Sequence, residues 1–160
     1  MTDGSAARRE LLAHVREMLR AVRLFKNDLP AQHPAVPFGT VSVLSMIDVM
    51  AAEPPAGCHG KELAARCSLD PSTISRTVAT LVRSGLVQRT ADPADGRASV
   101  LSLTPLGRQT LSDVTAWADD RLADALKEWR PDELAAFTAL LRRFSTDLMS
   151  RYDQPLEAAR

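Results

Sequence analysis

Long apolar runs are missing from this 160-residue chain. No stretch approaches the roughly 18 apolar residues that a membrane span requires. Met1-Thr2-Asp3-Gly4-Ser5 carries no basic region followed by an apolar one, so no export signal is read and the cytoplasm is the expected compartment. Cysteine is scarce: Cys58 and Cys67 are too few and too close for a disulfide scaffold, and nothing near them has zinc-finger spacing. The three histidines, His14, His33 and His59, lie far apart without partners at ligand spacing. There is no glycine-rich phosphate loop, nucleophile elbow or metal-binding pair, and Asp119-Asp120 reads as a solvated helix face. The expectation is a protein that is not an enzyme and uses no cofactor or metal.

Net charge is lacking as well, with 20 basic and 20 acidic side chains. The balance is not local. Residues 60–108 hold seven basic groups (Lys61, Arg66, Arg76, Arg83, Arg89, Arg97, Arg108) against four acidic ones (Glu62, Asp70, Asp92, Asp95), a net of +3. Residues 109–160 carry a net of −3, and residues 1–59 balance. A basic excess confined to one segment is the electrostatic footprint expected of a nucleic-acid contact.

Helical seams occupy both ends. Leu11, Val15, Met18, Val22, Phe25 and Leu29 recur at gaps of three and four, and the Pro-rich stretch Leu29–Pro37 is expected to end that helix. A second helix, Thr40 to Ala52, is apolar over much of its circumference and is expected to be buried. Thr104-Pro105 reads as an N-cap followed by proline at the first helical position, opening a helix of about 25 residues along Leu111, Val114, Ala118, Leu122, Ala125 and Trp129. Pro131 restarts a last helix with Leu134, Phe137, Leu141, Phe144 and Leu148 on one side. Three long seams around one small domain are hard to bury within a single chain. Two chains intertwining residues 6–29 and 105–150 would bury them, so a homodimer is predicted.

Between these seams lies a helix, a turn and a capped helix. Gly60 to Cys67 forms the first, Ser68-Leu69 the turn, and Asp70 caps a helix with Pro71 at its first position and Gly85 beyond its end. That is the helix-turn-helix arrangement. At about 100° per residue, Ile74, Val78 and Leu81 gather on one side of the second helix, and Ser72, Arg76, Ala79 and Arg83 on the other, flanked by Thr73, Ser75 and Thr80. Arg76 can donate two parallel bonds to guanine O6 and N7, and the Ala79 methyl can touch a thymine methyl. Ser72 and Thr73 can reach bases or phosphates near the helix N-terminus. Leu86–Thr90 and Ala98–Leu103 are short strand-like runs around Pro93 and Asp95-Gly96, giving a hairpin with Arg97 at its tip.

These stretches resemble the multiple-antibiotic-resistance regulator (MarR) family of winged helix-turn-helix transcription factors. The likeness is carried by Glu62-Leu63-Ala64, Asp70-Pro71-Ser72-Thr73-Ile74-Ser75-Arg76, Leu81 to Val87, and most specifically Asp92-Pro93-Ala94-Asp95-Gly96-Arg97 running on to Leu101-Ser102-Leu103-Thr104-Pro105-Leu106-Gly107. It follows the whole chain in order, with the specific motifs between residues 60 and 108. His59 departs from the family's usual Ser or Thr cap, and Cys67 from its usual apolar residue. The resemblance implies a mainly α fold with a small β-hairpin wing: a winged helix-turn-helix at 40–108, and a dimerisation region built from both termini, within one unit spanning 1–160. It implies that Asp95 orients the wing and that Arg97 enters a minor groove. The function it implies is a sequence-specific regulator, a repressor, that binds double-stranded DNA as a homodimer on a pseudo-palindromic operator. Release would follow from a small aromatic or lipophilic anionic effector, held in the family between the winged domain and the dimer helices. Two other readings stay open on the residues: a redox-responsive regulator using Cys58 beside His59, and a winged helix used only for protein contacts. The face Ser72, Arg76, Ala79, Arg83 lacks the large apolar anchors the latter would need.

Overall fold

The computed structural model describes residues 3–32, 36, 39–53, 57–92 and 98–151, which fall into two compact units, Met1–Ala116 and Trp117–Arg160. Among the described residues the order is α1 (Asp3–Gln32), α2 (Val41–Ala52), α3 (Gly60–Arg66), α4 (Pro71–Arg83), β1 (Val87–Ala91), β2 (Ser99–Leu103), α5 (Pro105–Leu126) and α6 (Pro131–Met149). The architecture is mainly helical with one antiparallel hairpin, as the sequence implies.

Most boundaries sit where the local chemistry placed them. The first correction concerns α1, which passes through Pro30 and stops at Gln32 instead of ending at Leu29. A proline's fixed φ is itself helical and its missing N–H removes a single bond, so near a helix end it is tolerated where a central one is not. The turn between α3 and α4 is set by backbone bonds. Leu69 N–H donates to the Ala64 carbonyl at 3.0 Å and Ser68 N–H to Ala65 at 3.1 Å, with Ser68 left-handed at φ 52°. Gly85, at φ 70°, closes α4 in the same way: Leu86 N–H donates to Leu81 and Gly85 N–H to Val82, each at 3.0 Å. This left-handed closure also seats Leu86 against Leu81, and both are fully buried.

The core of the first unit gathers Val43, Leu44, Ile47 and Met50 from α2, Leu63 from α3, Ile74, Val78 and Leu81 from α4, and Leu101 and Leu103 from β2. Val49 of α2 is exposed, so that helix buries one broad face and not its whole circumference. In the hairpin, Val87 pairs with Leu103 and Arg89 with Leu101. Period two then puts Arg89 on the same face as Leu101, over the core and not away from it. Cys58 forms an isolated antiparallel bridge to Leu101, whose N–H donates to the Cys58 carbonyl at 2.9 Å, and its side chain is fully buried. A one-residue bridge leaves no periodic signature in sequence.

The start of α5 locks the hairpin to the end of α4. The Thr104 hydroxyl donates to the Gly85 carbonyl at 2.6 Å and accepts from Gly107 N–H at 3.0 Å, while Thr104 N–H donates to the Leu86 carbonyl at 3.0 Å. Gly107 is required by this closeness, since a Cβ there would lie 2.0 Å from the Leu86 oxygen.

Beyond Val114, α5 exposes Leu122, and in the second unit α6 exposes Leu134, Phe137, Leu141 and Leu148. Along α1, Leu11, Met18, Val22 and Phe25 are exposed too. Trp129 meets Phe137 edge to face at 5.4 Å between centroids. None of the described helices is long and apolar enough to cross a membrane.

Candidate nucleic-acid interface

The α4 helix presents the predicted faces. Ile74, Val78 and Leu81 are buried, while Ser72, Ser75, Arg76, Ala79 and Arg83 are exposed and Thr73 and Thr80 half-buried. Ser72, Arg76, Ala79 and Arg83 form the central outward ridge; Thr73 and Ser75 lie on opposite flanks. Among the described residues, the Arg76 side chain has no hydrogen-bond or ion-pair partner, so its guanidinium is available to a ligand. Arg83 is held back along the helix. Its guanidinium donates to the Thr80 hydroxyl at 3.1 Å, and that hydroxyl donates to the Arg76 carbonyl at 3.0 Å.

At the helix start, Asp70 is a hub. Its carboxylate accepts from Ser72 Oγ at 2.6 Å, from Thr73 N–H at 2.9 Å and from the Thr73 hydroxyl. The Ser72 hydroxyl first, and Thr73 after it, hold the Asp70 carboxyl well below the usual carboxylate range. The Thr73 N–H is thereby satisfied within the chain.

The hairpin stands beside α4. Asp92 N–H donates to the Ala98 carbonyl at 3.0 Å, closing the paired strands, and the His59 ring lies 3.4 Å from the Asp92 carboxylate. His59, at the N-cap position of α3, makes no side-chain cap bond there. Asp95 and Arg97, the expected wing residues, lie outside the described residues. Between α4, the start of α3 and the hairpin is an open hollow of about 260 Å³, with Ile74, Val78 and Leu101 apolar and Lys61, Ser75 and Arg89 polar in its lining. Lys61 and Arg89 were not singled out from the sequence as site residues. The signal for Arg89 was its strand parity with Leu101.

Neither cysteine is set up as a reactive thiol. Burial pushes the Cys58 thiol up to about 11, and its Sγ lies 3.8 Å from Met50 Sδ. Burial also raises Cys67, which is half-buried against the core at the end of α3. No group of three or more His, Cys, Asp or Glu arranged to hold a metal occurs among the described residues.

The sequence profile of the MarR family matches residues 40–98, the span from the start of α2 to the residue before β2. Over that span the chain is similar to the MarR family. Its match to the uncharacterized HTH-type transcriptional regulator YxaD of Bacillus subtilis is 41% identical over 85 residues, covering 53% of this chain and 59% of that protein. The matched part is thus about three fifths of the relative's length. The fold is similar to that of a MarR family protein from Bacillus stearothermophilus, with a TM-score of 0.77 at 20% identity over 93% of this chain and 99% of the other. It is also similar to the PcaV transcriptional regulator of Streptomyces coelicolor, solved in complex with its natural ligand (TM-score 0.60, 28% identity, 85% and 94% coverage).

Proposed function

We propose that this protein is a DNA-reading transcription regulator of the MarR family, a repressor, that acts in the cytoplasm as a homodimer on a pseudo-palindromic operator. The observation that carries the reading is the outward ridge of α4: a capped helix whose exposed side is Ser72, Arg76, Ala79 and Arg83, with an unpartnered guanidinium at its centre. Such a ridge can enter a major groove and match base edges, and it has no apolar anchor on which a protein partner would dock. Arg97 supplies the flanking minor-groove contact, and Asp95 orients the wing. A narrow A·T-rich flank favours that arginine because its negative potential is deepest.

The exposed apolar residues of α1 and α6 support the dimer, since leaving Leu11, Phe25, Phe137 and Leu141 in water forgoes the main driving force for association. Two copies related by a two-fold axis set half-sites roughly 10 base pairs apart. The hollow between α4 and the hairpin supports an effector: apolar Ile74, Val78 and Leu101 with Lys61 and Arg89 suit a small aromatic acid or lipophilic anion. PcaV, similar in fold, has a natural ligand of its own. An effector held there releases DNA only through its greater affinity for the non-binding arrangement.

The test is selection of bound duplexes from a random pool, with the mass in solution measured by light scattering. A two-fold-symmetric consensus bound by a dimer is expected. Absence of any enriched sequence overturns the reading. Repeating the selection with a panel of aromatic acids tests the effector.

A further inference from the structure

The first helix carries a charged side that the reading of α4 leaves unused. At about 100° per residue, Arg9, Arg16, Arg20 and Arg23 of α1 fall within an arc of about 60° and run about 21 Å along the axis. All four are exposed, and the other residues of α1 inside that arc are Ser5 and Asn27. Arg16 and Arg20, and Arg20 and Arg23, are surface neighbours on a helix and repel one another. The chain does not neutralise them. Among the described residues the side chains of Arg16, Arg20 and Arg23 have no hydrogen-bond or ion-pair partner, and Arg9 reaches only the Ser5 carbonyl, at 3.3 Å. Glu17 is the sole carboxylate three or four residues from any of the four, and it lies 3.3 Å from the His14 ring instead.

The apolar seam Leu11, Met18, Val22 and Phe25 lies about 180° around the helix from these arginines. A second copy that covers the seam therefore leaves the arginine ridge open. Uncompensated cations in a row suit an anion repeated at short intervals, and duplex DNA carries one charge per about 1.7 Å of its axis. The ridge is built of arginine without lysine, and a guanidinium fork meets two phosphate oxygens where an ammonium acts as a point charge. A protein partner would need large apolar anchors, which the arc lacks. A lipid surface would take the apolar side of α1, and that side points away from the arginines. We infer that the Arg9, Arg16, Arg20 and Arg23 ridge of α1 is a second DNA-binding surface, which holds the phosphodiester backbone of a duplex without reading its sequence. It is separate from the α4 ridge and goes beyond the operator reading proposed above.

The experiment titrates the full chain onto a labelled duplex of arbitrary sequence over a salt series. It compares wild type with a triple variant, Arg16→Gln, Arg20→Gln and Arg23→Gln, and with Arg16→Lys, Arg20→Lys and Arg23→Lys made together. Each phosphate contact adds about 0.9 to the slope of log affinity against log salt, so the wild-type slope should be steeper than that of the Gln variant by about 2.7. Over an about fourfold rise in salt, wild-type affinity should then fall about 40-fold further than that of the variant. The Lys variant keeps the charges and should keep the wild-type slope. Because the arginines are exposed and repel one another, the Gln variant should melt no lower than wild type by circular dichroism. The slope difference should persist in an Arg76→Ala background, where the α4 ridge is weakened. Equal slopes for wild type and the Gln variant overturn the inference. With equal slopes, arginine-dependent binding to phosphatidylserine vesicles assigns the ridge to lipid, and loss of the dimer mass in light scattering assigns it to a second copy. A slope difference in a protein that enriches no sequence from a random pool overturns the regulator reading and leaves this surface standing.

Discussion

Replacing Gly107 by alanine tests the joint between the wing and α5. The added Cβ would lie 2.0 Å from the Leu86 carbonyl oxygen, 2.9 Å from its carbon and 3.3 Å from its Cα. Ordinary contact begins near 3.4 Å, so α5 and Leu86 must part by about 1.4 Å. Neither side yields freely. Leu86 is fully buried, its N–H is bound to Leu81, and its oxygen accepts from Thr104 N–H. A parting of that size breaks the 3.0 Å bond from Thr104 N–H and disturbs the Thr104 contact to Gly85. Two such bonds are worth about 1 kcal/mol each, and the overpacking adds about 1–3 kcal/mol. Alanine recovers about 1 kcal/mol over glycine in a helix. The net expectation is a loss of about 3 kcal/mol, roughly 6–12 °C in the thermal midpoint of a chain this size. Circular dichroism melts of wild type, Gly107→Ala and Gly60→Ala provide the assay. At Gly60 a Cβ meets nothing within 4 Å, so that control should match or exceed wild type. A Gly107→Ala midpoint within about 2 °C of wild type refutes the reasoning.

The pH dependence of folding should report Asp70. Its folded pKa is depressed, so its contribution is complete above the ordinary carboxylate value of 3.8 and is lost as pH falls through the folded value. Urea midpoints of wild type should therefore fall more steeply below about pH 4 than those of Asp70→Asn, which keeps an oxygen for Thr73 N–H; parallel curves refute the hub. Cys58 has the opposite sense: its thiol is raised from 9.0 to about 11, so the unfolded chain ionises first and stability declines as pH rises from about 9 to 11. Thiol labelling of the native protein should modify Cys67 ahead of Cys58, and mild peroxide should leave DNA binding intact; prompt oxidation of Cys58 with loss of binding would restore the redox reading. Arg76→Ala should cost about 1–3 kcal/mol of DNA binding and relax one base position. An equal loss on cognate and random duplex excludes base reading. Arg97→Ala should weaken binding with a shallower salt slope, and an unchanged slope removes the wing from the DNA.

The two reading elements were legible in sequence for a shared reason. Asp70-Pro71, Gly85, Thr104-Pro105 and Pro131 act on their own backbone, where a cap, a fixed φ or a missing Cβ works without distant partners. Helix periodicity then sorted Ile74, Val78 and Leu81 from Ser72, Arg76 and Ala79, because burial follows the 3.6-residue turn. Pro30 misled for the same local reason. Its bias against helix at the preceding residue is real, but it is a preference, and α1 continues two residues past it.

What the sequence by itself determined is the order of elements, the solvent-facing ridge of α4, and the likeness to a family whose motifs lie between residues 60 and 108. What only the tertiary structure decided are relations between residues that local pattern does not link. The Cys58 bridge to Leu101 spans 43 positions and turns an apparent loop thiol into a buried one. Gly107 is fixed by the Leu86 carbonyl, and Arg89 is turned toward the hollow by its pairing with Leu101. At Asp70 the composition announced a cap, but which protons it takes depends on side-chain rotamers.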